Sequence, residues 1–324
     1  MVLAVGVLLF FLLAYYVFFT ITVARPLRAI SREMKALLSG KKYNRIFTEH
    51  IDEFGVLGYF FNEVTRNLES ISADLAEGKR MSTELNLASD IQKKVIPSEM
   101  PKIEGLDIYG NTRSAAEVGG DSFDFISTPE NMFCYVGDVT GHGVPSALVM
   151  MMVNTLIESF CELYPSGYEV IMHTNRLLKP RIQQTMFMTL VLFRWNFKER
   201  RLYYTGAGHE HIMIYRKQTN TCEVKQSGGI ALGMLPDNSK IIKEQELPFG
   251  AGDCMVLYSD GIAEAQNTHG EMYGIKGLQQ SIQAHAGAGN AYDLFTAISG
   301  DFTQFVEGQN QSDDMTLIVI KRTA

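Results

Sequence analysis

Cysteine is scarce in this sequence, and basic charge is in deficit. The four cysteines, Cys134, Cys161, Cys222 and Cys254, stand far apart in 324 residues with no CxxC spacing. That argues against a disulfide framework or a zinc site and predicts buried thiols. Lys and Arg number 29 against 36 Asp and Glu, a net charge of -7. A nucleic-acid binder needs a basic surface to neutralise phosphates, so that class is set aside. No GxxxxGKS/T stretch and no histidine-kinase-like block occurs, which argues against a nucleotide-binding output module. Charge of either sign is absent from residues 1–24. What the chain does have is apolar content, 46%, enough for a sizeable core and something extra.

The uncharged N-terminus reads as a transmembrane helix over residues 1–24. As a helix, Val2 to Ala24 spans about 35 Å, sufficient for a hydrocarbon core of ~30 Å. A signal peptide would have a shorter apolar stretch preceded by basic residues. Here the basic residues follow: Arg25, Arg28, Arg32, Lys35, Lys41, Lys42 and Arg45, against one acid, Glu33. The positive-inside rule then predicts a single-pass protein of the cell membrane with everything after Ala24 in the cytoplasm.

Residues 25–78 carry two helical patterns. Ile30, Met34, Leu37 and Leu38 share one face, and residues 40–44 interrupt it. A second helix opens near Asp52 and carries Phe54, Leu57, Phe61, Val64, Leu68, Ile71 and Leu75. From Leu57 on the spacing is mostly three and four, the seam of a parallel coiled coil; the alternative is a surface helix on a globular domain. Pro26 right after the membrane helix and the run Asp52-Glu53-Phe54-Gly55 resemble a HAMP domain, the two-helix relay found inside the membrane in bacterial receptors. The resemblance implies a homodimer through HAMP and coiled coil. Such receptors usually have two membrane helices around a sensor; this sequence has one, so a partner or a segment upstream would supply the signal. Gly78 and Lys79 predict a break in the coil. A linker helix follows within residues 79–102, with Leu85, Ala88, Ile91 and Val95 on one face and Pro97 and Pro101 ending it.

Residues 103–324 change character. Strand-like runs cover Met132 to Val136, Met186 to Phe193, Leu202 to Thr205, Ile212 to Tyr215, Cys254 to Tyr258 and Met315 to Ile320, rich in β-branched and aromatic residues. Helical stretches cover Val144 to Leu163, Tyr168 to Lys179, Ile275 to His285 and Ala291 to Val306. Several strands are consecutive, so the expectation is α+β, with antiparallel sheets and helices packed outside.

Four acidic clusters punctuate this zone: Val118-Gly119-Gly120-Asp121, Gly137-Asp138-Val139-Thr140-Gly141-His142-Gly143, Tyr258-Ser259-Asp260-Gly261, and Gln311-Ser312-Asp313-Asp314-Met315-Thr316. Any one of them alone reads as a turn or helix cap. Four carboxylates converging on one rim would repel each other unless cations neutralise them. Oxygen ligands select magnesium or manganese, and glycines let a carbonyl beside Asp138 approach a metal as well. A pair of such ions suits in-line attack of water on phosphorus.

These stretches resemble the PPM-type phosphatases, in their SpoIIE/RsbU-like bacterial branch. The matching segments are Glu117 to Asp124, Gly137 to Gly143, Thr205-Gly206-Ala207-Gly208-His209, Leu232-Gly233, Tyr258 to Glu264 and Asp313 to Leu317, in the family's order across the whole domain. The resemblance implies an αββα sandwich: two antiparallel sheets flanked by helices. It implies two divalent cations, Mn or Mg, with Asp138 bridging them, the Val139 carbonyl on one, Asp260 and Asp313 on the other, and Asp121 helping to hold the second. Asp314 is the alternative to Asp313, and Asp124 is structural. Arg113 could grip the phosphate or be a solvated strand-edge residue. His142 could protonate the leaving alkoxide, and His209 is structural. The implied activity is metal-dependent hydrolysis of phosphoserine or phosphothreonine on a partner protein. By resemblance the substrate would be a STAS-like phosphorylated anti-sigma-factor antagonist, under control of a shift of Leu85 to Val95. A catalytically inactive, membrane-tethered scaffold is the alternative; loss of a ligand Asp would support it, and all four are present.

Overall fold

The computed structural model describes residues 2–46 and 53–323. Contacts divide the chain into Met1–Thr83 and Glu84–Ala324.

In the first unit, α1 (Val2–Phe19) runs through a π-helical stretch (Thr20–Ala24) into α2 (Arg25–Leu38). Nothing in this uncharged run breaks a helix, and Pro26 falls in the first turn of α2, where its missing N–H costs nothing. α1 is long and apolar enough to cross a membrane, and its side chains are exposed. A second helix follows, α3 (Glu53–Gln92); the unit's buried residues among those described are Ile30 and Glu33 on α2 and Gly58, Phe61 and Thr65 on α3. Glu33 is held by its contacts. It accepts from the Asn44 backbone N–H (2.9 Å) and from Arg32 Nε (2.9 Å), and these bonds, the first above all, keep its carboxyl below the usual range. Asp52, expected to open the second helix, lies outside the described residues.

Two expectations for α3 are corrected. The helix runs through Gly78 and Lys79 without a break. A single helical glycine costs about 1 kcal/mol, and its neighbours Ala76, Glu77, Lys79, Arg80 and Met81 are good helix formers. The covered face of its last turns is also rotated: Leu85, Ala88 and Gln92 are covered, while Ile91 is 48% exposed. A polar residue occupies the centre of that face. Of the expected coil seam, Phe61 is buried, while Leu57, Val64, Leu68, Ile71 and Leu75 are exposed in the single chain.

The second unit is an αββα sandwich, as the resemblance implied. Its strands are β1 (Leu106–Arg113), β2 (Ser122–Ser127), β3 (Asn131–Val139), β4 (Met188–Asn196), β5 (Arg201–Ala207), β6 (Ile212–Arg216), β7 (Thr221–Lys225), β8 (Glu244–Leu247), β9 (Cys254–Tyr258) and β10 (Met315–Arg322). One antiparallel sheet has the order β1-β10-β9-β6-β7 and the other β2-β3-β4-β5-β8. Their facing sides share a core that includes Ile108, Phe193, Trp195, Ile214, Leu257 and Ile318. Outside, α4 (Val144–Leu163) and α5 (Gly167–Leu178) cover the second sheet, while α7 (Gly274–His285) and α8 (Ala291–Val306) cover the first. A one-turn α6 (Asp260–Ala263) follows β9. β3 and β9 are almost wholly buried because they have neighbours on both faces, which is why they read as unbroken apolar runs. All four cysteines are free and buried, as predicted.

Candidate metal centre

The acidic clusters lie at strand ends. Asp121 immediately precedes β2 and Asp138 is the penultimate residue of β3. Ser122 pairs with Gly137, so one step further along the ladder Asp121 faces Asp138. Asp260 opens α6 directly after β9, and Asp313 and Asp314 precede β10, which pairs antiparallel with β9.

The glycines set how closely these segments meet. A Cβ at Gly120 would lie 2.9 Å from the Val139 carbonyl oxygen and 3.4 Å from Asp138 Oδ1. A Cβ at Gly261 would lie 2.0 Å from the Asp314 carbonyl oxygen. Only glycine permits either approach, and the result is two halves of a rim, one from each sheet.

Asp314 staples the halves together. Its Oδ1 accepts from Ala115 N (2.8 Å), and its Oδ2 accepts from Gly120 N (2.6 Å) and more weakly from Asp121 N (3.4 Å). Both oxygens are therefore engaged and buried. Asp313 is exposed, and its Oδ1 accepts only from the backbone N–H of Asp314 (2.8 Å). A second tie comes from Thr316, whose hydroxyl donates to Asp121 Oδ2 (2.6 Å), and whose N–H donates to Ser259 Oγ (2.9 Å). A third comes from α3. The Gln92 amide donates to Gly119 O (2.7 Å) and accepts from Gly119 N (3.1 Å), so one buried side chain satisfies both backbone groups of that residue.

Electrostatics follow from this crowding. Burial pushes the Asp121 carboxyl up; the nearby Ser259 hydroxyl and the hydrogen bond from Thr316 oppose the rise, and Asp314 and Asp260 add to it. Burial also pushes Asp138 up, and Asp121, Asp260, Asp313 and Asp314 all add to that rise. Asp260 is pushed up to about 6 by burial, then by Asp313, Glu264 and Glu210. Like charges facing each other across a partly dry rim disfavour ionisation unless a cation intervenes. Among the described residues no three His, Cys, Asp or Glu side chains are drawn tightly enough together to grip an ion by themselves. Magnesium-type sites use one or two carboxylates with water completing the shell. The donors fit such an ion: all are oxygens, and Asp121 Oδ1 is buried with no hydrogen-bond partner.

The other candidates fall elsewhere. Asp124 accepts from Asn154 Nδ2 (3.0 Å) and from Phe125 N (2.7 Å), and so braces α4 against β2. Arg113 is exposed at the end of β1, opposite Met315. His142 is exposed between Gly141 (φ 85°) and Gly143 (φ 76°), beyond the end of β3. His209 is buried between the sheets. Sequence reasoning missed Gln92, Thr316 and the tethering role of Asp314. No local sequence signal marks Gln92, because its partner Gly119 lies 27 residues away.

Known proteins agree with this architecture. The family model described as Stage II sporulation protein E (SpoIIE) matches residues 128–323. The phosphoserine phosphatase RsbU of Bacillus subtilis is 28% identical over 246 residues, covering 75% of this chain and 71% of its own length. The SiaA PP2C domain of Pseudomonas aeruginosa superposes with a TM-score of 0.65 at 21% identity, covering 76% of this chain and 98% of that one. The SpoIIE phosphatase domain of Bacillus subtilis, with a fragment of its regulatory domain, gives 0.58 at 18% identity, covering 68% of this chain and 64% of that one. With the matched segment running from β3 to the last strand, the chain belongs to the SpoIIE family and is a PPM-type serine/threonine phosphatase.

Proposed function

We propose that this chain hydrolyses phosphoserine or phosphothreonine on a partner protein, using two divalent cations, manganese or magnesium, at the rim. The observation that carries this reading is the buried Asp121 Oδ1, left without a partner among carboxylates that raise one another's pKa. Asp138, with the Val139 carbonyl beside it, would hold one ion and share the other with Asp260 and Asp313, and Asp121 would support the second ion. When bound, the cations would supply activation of water and neutralisation of the phosphate's charge. The chain's own part is placement. Asp314 and Thr316 fix the loop that carries Asp121, which leaves Asp313 free to face a ligand. Of the two adjacent acids, Asp313 suits the ligand role because both Asp314 oxygens are already bonded.

The surrounding architecture extends the proposal. Residues 1–24 would anchor the chain as a single membrane pass, with the phosphatase domain, residues 103–324, in the cytoplasm. Residues 25–78 would form a HAMP-like unit and coiled coil that dimerises, covering Leu57, Val64, Leu68, Ile71 and Leu75, which are exposed in one copy. The linker, residues 79–102, would control the site, since Gln92 holds the backbone two residues from Asp121. The partner would be a phosphorylated STAS-like anti-sigma-factor antagonist.

The test is phosphate release from phosphoserine peptides and from p-nitrophenyl phosphate by the full chain, with manganese supplied or chelated. Asp138→Asn is expected to lower kcat by about 10²–10³-fold, the cost of removing one charge-organising group. Activity that survives both chelation and the substitution overturns the two-metal reading. Phosphoproteins that accumulate in cells carrying the Asp138→Asn variant would identify the substrate.

A further inference from the structure

His209 is a buried titratable group that this chemistry leaves unused. It lies just past β5, in the connection that carries the chain from the second sheet to the first. Its ring spans the two. Nε2 is 3.1 Å from the carbonyl oxygen of Tyr258 at the end of β9, and Nδ1 is 3.0 Å from the Thr189 hydroxyl on β4. A carbonyl can only accept, so Nε2 carries the proton and Nδ1 accepts from Thr189. Burial holds the imidazole down to about 4, which leaves it neutral and in that one tautomer around pH 7.

Both contacts lead to the rim. Thr189 is the cross-strand partner of Asp138, and its hydroxyl also lies 3.4 Å from the Asp138 carbonyl oxygen. Tyr258 stands two residues before Asp260. The main chain of His209 is itself fixed. Its carbonyl accepts from Ser227 Oγ (2.5 Å), and Gly208 before it turns at φ 73°, where a Cβ would come within 2.8 Å of Ala231 N. A side chain that only filled space would not need both nitrogens bonded to opposite sheets.

We propose that His209 is a positioning residue, a strut hydrogen-bonded to both sheets that sets the span from Asp138 to Asp260 and so the affinity for the divalent cations. The proposal rests on the two-metal reading above.

The experiment is direct titration of the full 324-residue chain with Mn²⁺, free ion being read by EPR, alongside urea midpoints. His209→Ala is expected to weaken Mn²⁺ binding about 10–100-fold, as loss of residues that orient metal ligands does. His209→Gln, whose amide offers a donor and an acceptor, recovers most of that loss. Thr189→Val removes one of the two bonds and gives a smaller weakening. Ile157→Val, on the buried face of α4, controls for general destabilisation. Wild-type Mn²⁺ affinity in a folded His209→Ala chain overturns the strut, and so does an equal loss in Ile157→Val. Should His209→Ala fail to fold, Thr189→Val decides: weaker binding sustains the proposal and unchanged binding overturns it. A wild-type chain that binds no Mn²⁺ fails the two-metal reading itself, which is a different result.

Discussion

Two helices of nearly equal length meet opposite fates in this chain. α1 and α4 are both long and apolar enough to cross a membrane. α1 leaves Leu3 85% exposed and Phe10 67% exposed, whereas α4 buries Val149, Met150, Val153 and Ile157 against the second sheet. Apolar content alone does not choose between them. α4 finds a partner surface within its own chain and carries Asn154, Glu158 and Glu162 among its apolar residues; α1 has no polar side chain before Tyr15, and its side chains are not covered by any of the described residues. The hydrophobic effect demands burial but does not specify the medium.

The largest expected effect lies in the unit that buries itself. Trp195→Ala should cost about 3–5 kcal/mol, read from urea unfolding, because the ring fills the space between the sheets at 1% exposure. A loss below about 1 kcal/mol would mean that this core is not the close-packed one described. Leu12→Arg should cost about 3 kcal/mol of membrane insertion, read as the fraction of chain in the membrane pellet, with the urea midpoint of the catalytic unit unchanged. If the pellet fraction holds, α1 is not a span, and the contrast with α4 fails.

The third prediction concerns pH in chelator-treated protein. Asp260 has its carboxyl raised from 3.8 to about 6, so between those values the folded chain holds more protons than the unfolded one. Stability must therefore fall as pH rises through about 4–6, by ~1–2 kcal/mol after allowance for solvent screening at this half-buried group. The fall continues above that window as Asp121 and Asp138, also raised, give up their protons. Added Mn²⁺ should flatten the slope. A metal-free protein that gains stability with rising pH would mean the carboxylates are not crowded. The smallest effect belongs to the surface: Arg200→Ala, which breaks a bridge to the exposed Glu104, should shift stability by less than about 1 kcal/mol.

The strands that sequence reasoning found are those buried on both sides, such as β3, β4 and β9. It missed β1, β2, β7 and β8. β1 alternates in burial but carries Gly110, Asn111 and Thr112 in its second half, and β8 is four residues long with one apolar residue, so neither shows a run of alternating apolar residues in the sequence. The outer helices were legible nearly to the residue because their apolar stripes repeat every three to four positions. The misplaced face of α3 has the opposite cause. Apolar spacing favoured Ile91, but the backbone groups of Gly119 favour an amide, and no local pattern announces a partner 27 residues away.

The acidic clusters, their glycines and the uncharged N-terminal run are chemical facts of the chain. They pointed to the class of reaction, to oxygen-rich acidic clusters and to an apolar N-terminal helix distinct from a folded domain, because charge, apolarity and backbone freedom belong to single residues. Tertiary structure decided which of two adjacent acids is free and which is a staple. It also made Gln92 a clamp and set His209 between the sheets. Those roles depend on distances between segments far apart in sequence, which only the packed sandwich sets.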